Sequence, residues 1–184
     1  MIAASLLLLH TKTYSQLFTL KNYKVTVQGT SSLHEWESEV EKTDIKGSYT
    51  ADKGTLVDLN NAVVRIPVTS IKSTKGKMMD NKTYEAFDFE KNPNIIFTVT
   101  SSRVGAKTID FKGTLAMAGA VRPIEVRGAW KLLGNGDLQV TGSHKLKMTD
   151  FKMEPPTAMM GTVKVGDEVT VTFDIVLTNT KTNL

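Results

Sequence analysis

The residues with the widest chemical reach in this chain are His34, in "SLHEW", and His144, in "GSHKL". An imidazole can act as general base to a Ser or Thr nucleophile, or as a metal ligand. Neither histidine lies in a nucleophile elbow or in the His-Glu-x-x-His spacing of a zinc protease, and a metal site built from both needs a carboxylate brought in by the fold. Glu35 beside Trp36, and Asp88 and Glu90 flanking Phe89, are the candidate general acids. In extended backbone, successive side chains point to opposite faces, which turns such charges to water. With no Cys in the chain, disulfides, thiolate zinc sites, iron–sulfur clusters and cysteine nucleophiles are all excluded. These residues predict no enzyme, no catalytic residue, no metal and no cofactor.

The elements that carry these residues alternate with period two. "FTLKNYKVTVQG" puts Tyr23, Val25 and Val27 on one face, and "EWESEV" puts Trp36 and Val40 on one face between acidic neighbours. The same alternation recurs in "AVVRIPVTSI", "NIIFTVTSSRV", "TIDFKGTLAM", "PIEVRGAWKLL", "DLQVTGSHKLKM" and "EVTVTFDIVL", with turns expected at "GNGD" (134–137) and "VGDE" (165–168). About eight to ten antiparallel strands follow. Several are about ten residues long, which favours a closed barrel of tilted strands over a sandwich. Gly47, Gly113, Gly128 and Gly142 fall inside strands, where glycine weakens pairing unless it relieves a bend. The fold class is therefore all-β, an antiparallel barrel of about eight strands with one short helix near residues 79–88. Asp80 is placed to cap that helix, Met79, Tyr84 and Phe87 to pack it, and Pro93 to limit it.

A chain of 184 residues fits one domain, assigned here to residues 17–180, and can bury a core without staples. Residues 1–16, "MIAASLLLLHTKTYSQ", read as a secretory signal peptide: the apolar run is too short to span a bilayer, polar residues follow it, and the expected basic residue before it is missing. The formal charge is +4, but the lysines are scattered rather than clustered, so nucleic acid is not an expected partner. A mildly cationic surface is compatible with acidic headgroups and peripheral membrane contact.

Five segments together resemble the YceI-like proteins: "GTSSLHEW" (29–36), "VTSIKS" (68–73), "MMDNKTYEAFDFEKNPNIIFTVTS" (78–101), "FKGTLAMAGAVRPIEV" (111–126), and "KMTDFKMEPP" followed by "VGDEVTVTFDIVL". They agree with that family in order and spacing. The resemblance implies a bacterial envelope protein, periplasmic or secreted, with a lipocalin-like barrel that binds polyisoprenoids. Two sites depart from the family pattern: the region before the Asp–Phe–Gly-type segment, where an Arg is common, reads Met148 and Thr149, and Lys152 replaces the segment's Gly.

The reading that follows is a barrel holding a long isoprenoid-type lipid, such as a polyprenol derivative or a quinone, in its interior. Alternation nominates Trp36, Phe97, Val99, Phe111, Leu115, Met117, Val126, Trp130, Leu146, Phe173 and Ile175 for the lining, with Met79, Phe87 and Met160 contributed by loops. Met78, Met79, Met117, Met148, Met153, Met159 and Met160 lie mostly at segment ends, where flexible thioethers suit an irregular apolar guest. A filled barrel serving as an interaction or stress-response scaffold is the alternative. Either is compatible with a monomer or a homodimer.

Overall fold

The alternation closes on itself. A computed structural model describes residues 15–52 and 55–180; of the expected leader, residues 1–14 lie outside this range, and Ser15 and Gln16 are the first residues of a strand. That strand is β1 (Ser15–Ser31), followed by β2 (Glu35–Val40), β3 (Asp44–Asp52), β4 (Thr55–Pro67) and β5 (Ile71–Ser73). Helix α1 (Lys77–Phe87) leads into β6 (Asn94–Val104), β7 (Thr108–Met117), β8 (Ala120–Leu132), β9 (Leu138–Lys147), the two-residue β10 (Thr157–Ala158) and β11 (Val163–Asn179).

Strands β1, β3, β4, β6, β7, β8, β9 and β11 form the wall, each hydrogen-bonded to the next, and β11 pairs back to β1. All pairings are antiparallel, and the closing seam runs from Phe18 opposite Asn179 to Ser31 opposite Val165. Strand β1 is long enough to serve two partners on its other edge: Ser15–Thr19 pairs with β3, and Thr26–Thr30 with β2. In the same way β4 continues, through a 3-10 turn at Val68–Ser70, into β5, which pairs with β2. Helix α1 follows β5 and packs against it and the Val68–Ser70 turn. Along β8 and β9 the ladder covers only Gly128–Leu132 opposite Gly142–Leu138. Above that level the two strands separate, and Arg122 Nε reaches across to the Asp150 carbonyl at 2.9 Å.

The glycines expected at bends lie at such places. Gly47 sits at a register shift in β3, and Gly113 opposite one in β6. Gly128 and Gly142 face each other across β8 and β9, and a Cβ on Gly142 would lie 2.6 Å from the Phe173 ring and 2.8 Å from the Arg127 carbonyl. Only glycine lets the Phe173 ring lie against the sheet there.

Two expectations about punctuation are corrected. "VGDE" is not a turn but part of β11, where a shift between Gly29/Val169 and Ser31/Val165 makes a bulge. The Asp167 carboxylate in that bulge accepts the Thr149 N–H at 2.9 Å and its hydroxyl at 2.7 Å. Asp80 is not the helix cap, because α1 starts earlier, after Gly76. Buried in the first turn, its carboxylate instead accepts the Ser73 N–H at 2.7 Å and ties α1 to β5.

The interior divides in two. At one end Tyr49, Leu56, Ile109 and Leu138 are almost fully buried and interlock with Trp130 and Leu132, closing the barrel. Asp137, buried at that end, pairs with Lys21 at 2.6 Å, and this contact holds its carboxyl below the ordinary Asp range. At the other end Val68, Ile71, Phe87, Met148, Phe151 and Met153 form a second buried cluster with Val25, Val40, Leu115, Met117, Ala120 and Val169 of the strands.

Candidate functional site: an apolar cavity in the barrel

Above the filled end the bore is hollow. The cavity has a volume of about 550 Å³, within the roughly 300–1,000 Å³ typical of ligand pockets. Its floor is made by Phe18, Ile45, Leu59, Ala62, Val99, Phe111, Val140 and Leu177, the upper surface of the closed core. Its walls are the inward-facing alternate residues: Val25 and Val27 from β1, Trp36, Ser38 and Val40 from β2, Leu115 and Met117 from β7, and Val169, Val171, Phe173 and Ile175 from β11. The mouth is rimmed by the β1–β2 turn (Ser31, Leu33, His34), the start of α1 (Lys75, Met78, Met79) and the segment before β11 (Pro156, Thr157, Met159).

Trp36 owes its place to Gly29, its cross-strand partner. The indole lies so close over Gly29 that a Cβ there would overlap Cζ2, and Nε1 donates to the Thr30 carbonyl at 3.0 Å. Helix α1 is held at the mouth by a polar latch on its outer side. Tyr84 Oη donates to the Thr69 carbonyl at 2.9 Å and accepts from Lys72 Nζ at 2.6 Å, while Lys72 also faces Asp80 at 3.6 Å. The hydrogen bond to Tyr84 raises the pKa of Lys72, with Asp80 contributing. The opposite face of the helix presents Met79, Ala86 and Phe87 to the cavity.

Charge is kept out of the depth of the cavity. Its two charged lining residues, Lys75 and Lys82, belong to the mouth, and Lys82 pairs with Glu85 at 2.7 Å. His144 lies on the wall where β8 and β9 separate, and desolvation lowers its pKa, favouring the neutral imidazole. His34 stands at the exposed rim, with Nδ1 2.8 Å from the Glu35 carbonyl. No group of three His, Asp or Glu residues suited to a metal ion occurs among the described residues. Glu35, Asp88 and Glu90 are all exposed, and Asp88 pairs with Lys91.

Of the residues nominated from the sequence, Trp36, Met79, Phe87, Phe97, Val99, Phe111, Leu115, Met117, Val126, Leu146, Phe173 and Ile175 stand on the cavity wall. Trp130 and Met160 do not. Trp130 is on the inward face of β8, but its depth is that of the filled end, where Nε1 donates to the Gly105 carbonyl at 2.9 Å. Alternation gives the face of a residue and not its height in the barrel. Met160 is fully exposed on a turn, whereas its neighbour Met159 reaches the lining. Sequence reasoning passed over Val25, Val27, Val169 and Val171, although their parity with Phe173 and Ile175 was available in "KVTV" and "VTVTFDI". Met148 and Met153 also line the cavity, and no periodic signal marked them, because they come from the 3-10 turn and loop after β9.

A profile described as YceI-like domain matches residues 10–177. The chain belongs to the YceI-like family. No curated protein matches it significantly. Among solved structures it is similar to BcnA of Burkholderia cenocepacia, at 19% identity and a TM-score of 0.69, over 84% of this chain and 95% of that one. It is similar also to a polyisoprenoid-binding domain from Saccharophagus degradans implicated in plant cell wall breakdown, at 14% identity and a TM-score of 0.69, over 89% and 98%. A Campylobacter jejuni YceI protein aligns at 16% identity with a TM-score of 0.58, over 98% and 94%. These likenesses show the fold, the closed lipocalin-like YceI barrel expected from the sequence. No helix among the described residues is long and apolar enough to cross a membrane.

Proposed function

We propose that this YceI-like barrel is a non-catalytic carrier that holds the apolar tail of an isoprenoid-type lipid, a polyprenol derivative or a quinone, within the cavity. The observation that carries the reading is a bore filled at one end and hollow at the other, with an apolar lining whose charged residues stand only at the mouth. A volume of about 550 Å³ corresponds to roughly eighteen water-sized groups, enough for three or four five-carbon units. Each methylene-sized group removed from water contributes about 0.8 kcal/mol, so two units alone give micromolar-scale driving force before ordering costs. No reacting group is needed for this task. The similar domain described as polyisoprenoid-binding adds support by analogy of fold.

The branching methyls of a prenyl chain make it irregular in cross-section, and the methionines at the mouth supply adaptable contacts for such a shape. The apolar N-terminal stretch and the family membership support a periplasmic or secreted setting in a bacterial envelope. A barrel filled through its whole length, the scaffold alternative, does not agree with the hollow upper half.

The two tryptophans provide the test. Trp36 stands on the cavity wall and Trp130 in the closed core. In Trp130→Phe, which leaves Trp36 as the reporter, emission should shift when a short polyprenol or a quinone is added, while Trp36→Phe should respond far less. Organic extraction of protein purified from its own host should yield a stoichiometric prenyl lipid by mass spectrometry. No lipid recovered, together with an unresponsive Trp36, would remove the carrier reading.

A further inference from the structure

We infer that the rim of the cavity is a docking surface for an anionic lipid bilayer, which seats the open end of the barrel on the membrane. This extends the carrier reading, but it rests on a different set of residues, those facing outward at the mouth. Leu33, Met78 and Met159 are 66%, 75% and 72% exposed and yet belong to the cavity lining. A side chain meets both conditions only where the bore opens to solvent. They come from three separate segments, the β1–β2 turn, the first turn of α1 and the segment before β11, so the exposed apolar tips surround the opening.

Met160 adds a fourth tip. Met159 and Met160 take left-handed backbone angles, φ 50° and 56°, in a tight turn where Thr162 Oγ1 donates to the Met159 carbonyl at 2.7 Å. Non-glycine residues disfavour that conformation, and the turn places a fully exposed thioether beyond the rim. The other large exposed apolar residues, Leu17, Val57, Val63 and Val121, sit singly on the outer faces of strands. A concentration of apolar tips at one end marks an interaction site rather than ordinary surface.

Charge selects the partner. Lys75, Lys77 and Lys164 lie in or beside the same segments, are exposed, and take part in no ion pair among the described residues. The exposed acids nearest the rim in sequence are Glu35 and Glu154. Apolar tips that enter the headgroup–acyl boundary, with ammonium groups at the level of the phosphates, form the arrangement that holds a peripheral protein on an anionic bilayer. A mouth held in that plane lets a prenyl tail pass between bilayer and cavity without exposing its length to water.

Because the chain has no Cys, a single introduced thiol can be labelled cleanly. Met160→Cys carrying an environment-sensitive fluorophore should shift to the blue on phosphatidylcholine vesicles containing phosphatidylglycerol. The same label at exposed Lys107→Cys, in the turn at the closed end, should not. In co-sedimentation, Lys77→Glu with Lys164→Glu should weaken vesicle binding by at least about tenfold, whereas Lys107→Glu with Lys131→Glu, the same change of net charge outside the rim, should leave it largely intact. Neither pair contributes to the cavity lining. No label shift, or equal losses from the two charge-reversed pairs, overturns the inference. A shift that follows protein concentration rather than vesicles also overturns it, by showing the rim to pair with a second copy. Uptake of a prenyl compound in vesicle-free solution, measured on the same variants, separates the two readings: uptake without docking removes the rim, and docking without uptake removes the carrier.

Discussion

His144 shows how a single side chain ties the cavity to solution conditions. Its imidazole is partly withdrawn from water at the parting of β8 and β9, and desolvation lowers its pKa from the ordinary 6.5. The unfolded chain therefore binds this proton more readily than the folded one. The contribution to stability is complete above about pH 6.5 and is lost as pH falls below it. Urea unfolding of the wild type between about pH 8 and about pH 5 should show an acid-side loss that His144→Gln reduces; equal slopes would show that His144 does not contribute. Reading such residues from sequence had uneven success for physical reasons. Lys152, noted as standing where the family has Gly, takes φ 61° after the 3-10 turn Met148–Phe151, a conformation that costs a non-glycine residue about 1 kcal/mol. The turn keeps this left-handed backbone with Phe151 buried beneath it. Trp130 was misplaced because parity carries no information about depth.

At the scale of elements, the helix was visible and its anchoring was not. A short run of helix formers bounded by Pro93 marked α1 within two residues at its start and one at its end. Asp80 looked like a cap because capping is the commonest task of an Asp near a helix start, but the structure gives it to the Ser73 N–H of β5, a tertiary contact with no local signature. Asp80→Ala leaves that amide without its side-chain acceptor and removes the carboxylate facing Lys72, which keeps its hydrogen bond to Tyr84. A loss of about 1–3 kcal/mol is expected by denaturant unfolding, with faster amide exchange concentrated in α1 and β5. A loss spread evenly over the barrel would instead assign Asp80 a global role. The bulge in β11 was likewise hidden: "VGDE" has turn composition, and its extended path is imposed by pairing with β1 and by the contact of Asp167 with Thr149.

Across the whole molecule, the bore is filled at one end and hollow at the other, and a buried cluster stabilises each end. Closed-barrel topology was legible because period-two alternation survives in nearly every strand, and the wall needs only that pattern and enough length. The boundary between filled and hollow interior was not legible, since the same Val, Leu and Phe residues serve both. The division predicts separable substitutions. Leu138→Ala, in the closed core, should cost about 2–5 kcal/mol while the folded fraction still takes up lipid. Val171→Phe, on the cavity wall, should change stability by only about 1 kcal/mol or less, because the ring enters free space, and should weaken uptake markedly. Calorimetry and fluorescence titration on both variants check this. If Leu138→Ala abolished uptake by the folded protein, the halves would be coupled.

The ladder between β8 and β9 is five pairs long, like those of β1–β3 and β4–β6, but above it the two strands part and the Arg122–Asp150 contact reaches across. Backbone groups between Ala120 and Arg127 that point toward β9 have no ladder partner to surrender, so easing the two staves apart there breaks no sheet hydrogen bonds, whereas parting β1 from β11 breaks a full-length seam. Above their ladder the staves β8 and β9 are held by a side-chain clasp instead of hoops.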